Sequence, residues 1–507
     1  MHTQYNIFVK NKRIFLYKAN KMKLGRNIFG VGAMTGISRI FGFVRDMLIA
    51  RVLGAGRLSD IFLAAFKLPN LFRDLLGEGA LSAIFIPMFA DSKKDKNFAN
   101  NVFSWLIVVL LGITIVFEIF MPAVVAILAP GFASDPGKLE FTVVISRIMF
   151  WYVIFICAAA FLSAVLNAFS KFILAAFMPV LLNIMLICAL LLSAFYAPVT
   201  ILYIMAATVV LSGIIQCVIL WGRIRSGNFG LRLVRPRWNG KIKAMLQRFG
   251  VSIVGSGFYQ ITIIVGTLVA SFQSGAVSWL YYADRIVQLP FAMIGLAVGT
   301  VLMSSISNAL AEKNMKSVFA QQNFSMRRSL MLIIPSMVGL FVLAEPIIRG
   351  LFQYGAWTPE STHAVALAIM VQCLVLPAML ISQVYSKTLY ASQDVKTPVK
   401  TSIISLGLAA LIYVGLFYHL GYLAIPVGVV VSGYVKNLLL ARACKKRGLV
   451  KWDGKTIRAS VGFTVWAAVL GAGLWFAPIT GLVSLCVAIA AFGILYLPVA
   501  YIIDKKL

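Results

Sequence analysis

Residues 39–78 read RIFGFVRDMLIARVLGAGRLSDIFLAAFKLPNLFRDLLGE, and this stretch decides the fold. Its background is as apolar as a membrane span, yet it carries ten charges: Arg39, Arg45, Asp46, Arg51, Arg57, Asp60, Lys67, Arg73, Asp74 and Glu78. A charge at the centre of a membrane helix costs at least about 2.5 to 3.5 kcal/mol, so such groups face a partner or a wet cavity. The stretch therefore belongs to a membrane protein with a polar interior.

Composition agrees. Of the 507 residues, 61% are hydrophobic and only 12% charged, with a mean hydropathy of +0.92, whereas soluble domains carry about a quarter charged residues. Apolar segments able to cross a hydrocarbon core of about 30 Å recur near 28–50, 60–90, 101–128, 140–168, 172–194, 200–221, 249–271, 279–311, 329–344, 362–386, 401–417, 423–440, 459–476 and 482–503. The expected fold class is an all-α polytopic membrane protein with 14 transmembrane helices.

The formal net charge of +30 would suggest a nucleic-acid partner in a soluble chain. With the N-terminus placed inside, however, 35 of the 46 Lys and Arg fall in cytoplasmic segments, as the positive-inside rule requires. Most of the charge is thus topology, with some attraction for anionic lipid headgroups and no nucleic-acid role. Residues 1–27 hold seven Lys or Arg and no acid. They are read as a basic cytoplasmic extension, not a cleaved signal, with Met22 an alternative start.

The basic run at 222–248 divides six spans (28–221) from six more (249–440), and a second basic loop at 441–458 precedes the last two spans within 459–507. An internal repeat supports the division. At an offset of 221, Gly54-Ala55 matches Gly275-Ala276, Leu68-Pro69 matches Leu289-Pro290, and Ala90-Asp91 matches Ala311-Glu312. The expected architecture is two six-helix lobes in a pseudo-twofold repeat, plus two C-terminal helices. Parallel repeats around a midplane site are a transporter pattern.

On a helix, residues seven apart share a face, which puts Arg39 with Asp46, and Asp60 with Lys67, Asp74 and Glu78, subject to a kink at Pro69. Span 8, the repeat partner of span 2, adds Asp284 and Arg285. Structural ion pairs (Arg39 with Asp46, Lys67 with Asp60 or Asp74) account for any one of these. For the set, the guanidinium forks of Arg39, Arg45, Arg73 and Arg285 are suited to bidentate phosphate contacts and point to an anionic substrate. Lys67 and Asp74 are further cavity candidates.

Other signals are weaker. The glycines at 30, 32 and 36 have the wrong spacing for a dinucleotide loop, no GxxxxGK[ST] occurs, and three scattered histidines and six cysteines outline neither metal site nor disulfide framework. Glu118, Arg147 and Lys436 read as snorkelling or locally paired charges, and Trp279, Tyr281 and Tyr282 as an interfacial belt.

The same residues carry a family resemblance. Ser38 to Asp46, Gly54-Ala55-Gly56 with Asp60, Phe66 to Arg73 with Glu78-Gly79-Ala80, Ser278 to Arg285, Leu351 to Gly355 and Gln393 to Lys400 resemble the MurJ (MviN) lipid II flippases, of the multidrug/oligosaccharidyl-lipid/polysaccharide exporter superfamily. The resemblance implies lipid II export from the cytoplasmic to the periplasmic leaflet of the bacterial inner membrane, by a transporter and not an enzyme. It implies substrate arginines at Arg39, Arg45, Arg73 and Arg285, cavity or gating acids at Asp46, Asp60, Glu78 and Asp284, and a groove for the polyprenyl tail at spans 13 and 14. No cofactor is expected; a coupling monovalent cation and contact with the cell-wall synthesis machinery are left open. Asp74 and Gln288 depart from residues found in some members. A flippase for another undecaprenyl-linked glycan, or a drug/cation antiporter, is the alternative within transport. A lipid-phosphate enzyme or a scaffold is the alternative outside it.

Overall fold

The computed structural model describes residues 30–506 except 78, 79, 93, 228 and 480, so Glu78 lies outside the described residues. Among these residues the regular elements are all helical, as expected where no water is available to satisfy open backbone groups. Among the described residues, nine helical segments are long and apolar enough to cross a membrane.

The chain forms two compact units. The first comprises residues up to Ile49, Ala65–Val124 and Thr142–Val254. It holds most of α1 (30–53), the end of α2 (Arg57–Phe72), α3 (Ala80–Asp91), most of α4 (Lys96–Leu128), most of α5 (Lys138–Phe150), α6 (Tyr152–Ala168), α7 (Phe172–Leu191), α8 (Pro198–Arg225) and the start of α9 (Gly240–Ala270). Its helices meet through aromatic side chains. Phe85, Phe89, Phe98, Phe103 and Phe161 are almost fully buried, and the Phe85 and Phe161 rings lie 4.7 Å apart. The opposite face is apolar too: Val108, Ile115, Ile119 and Ile127 on α4 are exposed. A helix apolar all round is a helix in lipid.

The second unit comprises Ala50–Ala64, Val125–Phe141 and Gly255–Leu507. Its elements are α10 (Ala276–Ala311), α11 (Met315–Phe352), α12 (Pro359–Gln372), α13 (Leu376–Ala391), α14 (Lys396–Leu420), α15 (Ala424–Lys446), α16 (Gly454–Trp475) and α17 (Leu482–Lys506). Helix starts follow their caps. Thr358 and Asp453 accept from the amides of Ser361 and Thr456, and Pro359 stands in the first turn of α12. The 221-residue repeat has a local backbone counterpart, since Gly54 and Gly275 both adopt left-handed conformations, with φ of 69° and 82°, just before α2 and α10.

Asp394, in the loop before α14, accepts from the Thr397 amide and pairs with Arg447. Burial opposes its ionised form, but hydrogen bonds from the Thr397 hydroxyl and amide, then the Arg447 charge, outweigh it and hold the carboxyl below its usual range. A depressed folded-state value means this stability is complete above the ordinary carboxylate range and is lost as pH falls through the depressed value. We expect Asp394→Asn to flatten the acid limb of the thermal unfolding profile of the purified protein. An unchanged acid limb would remove the argument.

Candidate functional site

In the first unit the site is built on α1, α7 and the end of α2. Arg45 is 6% exposed and Asp46 2%, and Arg45 places Nε and Nη2 on Asp46 Oδ1 at 3.1 and 2.7 Å. Its Nη1 donates to Asn183 Oδ1 at 2.9 Å, and Asn183 in turn donates to the Ser38 carbonyl. A cation this deep is tolerable only because a carboxylate and an amide answer its fork. Arg39, on the same helix, is exposed. The helix of α2 does not run on regularly past Pro69: a π-helical turn, Arg73–Gly77, follows. It carries Arg73, whose Nε and Nη2 reach Asp74 Oδ1 at 3.2 and 3.0 Å, with both side chains about a third exposed. Such turns rotate side chains off the regular helical line and often mark functional positions. Lys67 is half-buried.

The corresponding charges of the second unit sit on α10. Asp284 accepts from Gln288 and from Gln372 Nε2, the latter at 3.0 Å. Arg285 is exposed, lies 5.1 Å from the Tyr281 ring centroid and donates to its hydroxyl at 3.0 Å.

Asp60, also in the second unit, is fully buried. Its carboxylate accepts from Lys138 Nζ at 2.9 Å, the Gly275 amide at 2.8 Å, the Ser278 amide at 2.9 Å and the Ser278 hydroxyl. Asp60 thus caps α10 from outside that helix, placing an anion where unpaired amides and the helix dipole favour one. Lys138 is buried as well, its ammonium 4.2 Å above the Phe132 ring. Close backbone approaches continue the seam. A Cβ on Gly54 would stand 2.6 Å from the Ala356 carbonyl oxygen, one on Gly355 2.3 Å from that of Arg51, and one on Gly131 2.4 Å from the Phe272 backbone. We expect Gly355→Ala, at a φ of 65°, to destabilise the protein by at least 1 kcal/mol in thermal or denaturant unfolding. A neutral result would mean the seam is looser than this geometry.

The profile of the family described as "Lipid II flippase MurJ" matches residues 49–491. The chain belongs to the MurJ family. A probable lipid II flippase MurJ of Rhizobium meliloti is 35% identical over 503 residues, covering 95% of this chain and 94% of the relative. The lipid II flippase MurJ of Burkholderia cenocepacia is 32% identical, covering 89% and 90%. A solved structure of a lipid II flippase MurJ in an inward closed conformation superposes with a TM-score of 0.80 at 23% identity, covering 94% of this chain and 99% of that one. An inward-facing MATE family transporter of the MOP superfamily follows at 0.63 and 15%, covering 86% and 95%. These two likenesses establish the fold.

Within this MurJ-family fold, the structure redraws several pairings read from spacing. Arg45, not Arg39, pairs with Asp46, and Asp60 pairs with Lys138, not Lys67. Tyr282 is not part of an interfacial belt. Tyr282 is fully buried against Phe352 and Trp357, and Trp279 donates to the Ala55 carbonyl. Gln288 grips Asp284, where an acid would repel it. Asn183, Lys138, Gln372 and Tyr281 were missed as supporting residues. A lone asparagine within an apolar run was the readable hint for Asn183. At the turn that joins α16 to α17, Leu474, Leu482, Val487 and Ala488 line a shallow apolar depression of about 760 Å³.

Proposed function

We propose that this multi-pass membrane protein is a lipid II flippase. It carries the undecaprenyl-pyrophosphate-linked peptidoglycan precursor from the cytoplasmic to the periplasmic leaflet of the bacterial inner membrane by alternating access. The family match along nearly the whole chain carries the reading. The arginine chemistry of each unit supports it: in the first unit Arg39, Arg45 and Arg73 offer forks suited to a pyrophosphate, in the second Arg285 offers one of the same kind, and Lys67 is a further cation of the first unit. Asp46 and Asp74 hold two of these forks in this conformation, so the arriving phosphate exchanges places with a carboxylate. That exchange keeps the guanidinium groups charge-paired whether the phosphate is present or absent. Asp284 is the comparable acid beside Arg285, while Asp60 acts with Lys138 as a latch.

The finer architecture follows the same reading. If α2 with α3, α5 with α6, and α12 with α13 each make one broken span, the seventeen helices amount to fourteen crossings. Two six-span lobes are then followed by α16 and α17, and both termini are cytoplasmic. The apolar depression at α16 and α17 suits the polyprenyl tail. An inside-negative potential favours outward movement of an anion by about 2.3 kcal/mol per net charge per 100 mV, which makes potential or a coupled cation the driver. In cells depleted of their own lipid II flippase, expression of this chain should restore growth and the exposure of lipid II to outside reagents. Stable expression in the membrane with neither effect would overturn the assignment.

A further inference from the structure

The segment that follows α8 is neither helical nor loose. Residues 229–239 run without regular structure, and their backbone is held by side chains of α4. The amides of Arg232, Val234 and Arg237 donate to Asn100 Oδ1, Ser104 Oγ and Asn101 Oδ1 at 2.9, 2.8 and 2.7 Å. Asn101 Nδ2 and Trp105 Nε1 donate back to the Arg237 carbonyl at 2.8 and 3.3 Å. Asn100, Asn101 and Ser104 are themselves buried, at 7%, 7% and 3% exposure. With Trp105 they form two adjacent i, i+4 rows on one helix face, Asn100 with Ser104 and Asn101 with Trp105.

With the backbone turned inward, the side chains point out. Leu233 is 58% exposed, Val234 41% and Trp238 61%, and Arg232, Arg235 and Arg237 are exposed between them. Trp238 packs edge-on against Trp105 at 5.7 Å. The sequence contains no aspartate or glutamate between Glu140 and Asp284, and none of the strap arginines joins an ion pair among the described residues. The level is set by α4: its 33 residues span about 50 Å, longer than a hydrocarbon core of about 30 Å. The pinning residues stand four to nine positions from the Lys96 end, at the boundary between headgroups and acyl chains. Alternating arginine with leucine, valine and tryptophan suits that boundary, where rings and aliphatic groups enter the acyl edge and cations meet phosphates.

We propose that residues 232–238 form a preorganised dock for anionic phospholipid headgroups of the leaflet that faces the basic loops. The occupant is a lipid and not a protein, because the exposed set combines unmatched cationic charge with apolar side chains at the depth where bilayer phosphates lie. The dock is independent of how the arginines inside the spans are used. It tethers the segment joining α8 to α9 to the membrane surface.

The test uses the full-length protein in phosphatidylcholine nanodiscs with and without phosphatidylglycerol, measuring retained phosphatidylglycerol. Wild type should retain it over phosphatidylcholine. The triple variant Arg232→Gln, Arg235→Gln, Arg237→Gln should lose roughly fivefold in affinity per arginine, up to about a hundredfold. The triple lysine variant should keep most of the binding, since surface attraction follows charge. Asn101→Ala, which leaves every charge in place but releases the strap, should weaken phosphatidylglycerol binding without changing phosphatidylcholine retention. A photo-crosslinking residue at Leu233 should form adducts with lipid in native membranes. Equal phosphatidylglycerol retention by wild type and the triple glutamine variant would overturn the proposal, as would adducts at position 233 on a polypeptide instead of lipid.

Discussion

Alanine at Lys138 should destabilise the protein by about 3 to 5 kcal/mol, the usual result of leaving one member of a buried ion pair without its partner. The low end is the better expectation. Asp60 would keep its three donors from Gly275 and Ser278, so its side chain stays hydrogen-bonded without the ammonium. Asp60→Ala should cost at least as much, because it strips the cap from α10 and takes the carboxylate from Lys138, whose side chain is 2% exposed. The pair Asp60→Asn with Lys138→Met, which removes both charges and keeps one acceptor oxygen for the Ser278 donors, should recover part of the loss. Under alternating access the effect goes beyond stability. The seam holds residues 50–64 and 125–141 in the second unit, and each 1.4 kcal/mol removed from a closed state shifts its population about tenfold. A cysteine at Ala55, 5% exposed here, should then react faster with a membrane-impermeant reagent in Lys138→Ala than in otherwise wild-type protein. Equal labelling rates and equal unfolding curves would show that the seam is not a latch.

What the sequence made legible and what it did not divide along physical lines. Apolar runs report the solvent that surrounds them, so the helical membrane architecture could be read from composition and length. The matched glycines Gly54 and Gly275 share a left-handed conformation because each answers to a local backbone need. The charged set was legible as a set, since charge in an apolar run is anomalous wherever its partner lies. Partners were another matter. Helical spacing ranks only residues on one helix, and it placed Asp60 with Lys67, whereas the carboxylate is held by Lys138 and the start of α10, 78 and 215 to 218 residues away. The π-helical turn at Arg73 and the burial of Tyr282 are likewise products of packing. Asn183 lay in plain view as a lone amide in an apolar span, but nothing local said it would steer Arg45.

Arginine replacement carries the largest functional effect. Arg45→Ala and Arg285→Ala should each reduce lipid II translocation by roughly a hundredfold or more, because charge-assisted hydrogen bonds are worth about 1.5 to 3 kcal/mol each and a fork makes two. Arg45→Lys, which keeps the charge and loses the fork, should fall between. The two sites differ in what else they lose. Arg45 is buried on Asp46 and Asn183, so its removal also takes a charge partner from a buried carboxylate and should lower stability. Arg285 is exposed beside Tyr281, so its removal should leave unfolding nearly unchanged. Folding and transport can therefore be separated: Arg45→Ala combined with Asp46→Asn should regain stability and still fail to translocate. Wild-type translocation by both single variants in reconstituted vesicles would sink the assignment of these arginines to substrate. Rescue of transport by the double variant would instead make Arg45 a structural counter-ion. If Arg45 does bind phosphate, Asp46 competes with the substrate for the same two nitrogens. Asp46→Asn alone should then tighten lipid II binding while slowing release, a split that a purely structural ion pair would not produce.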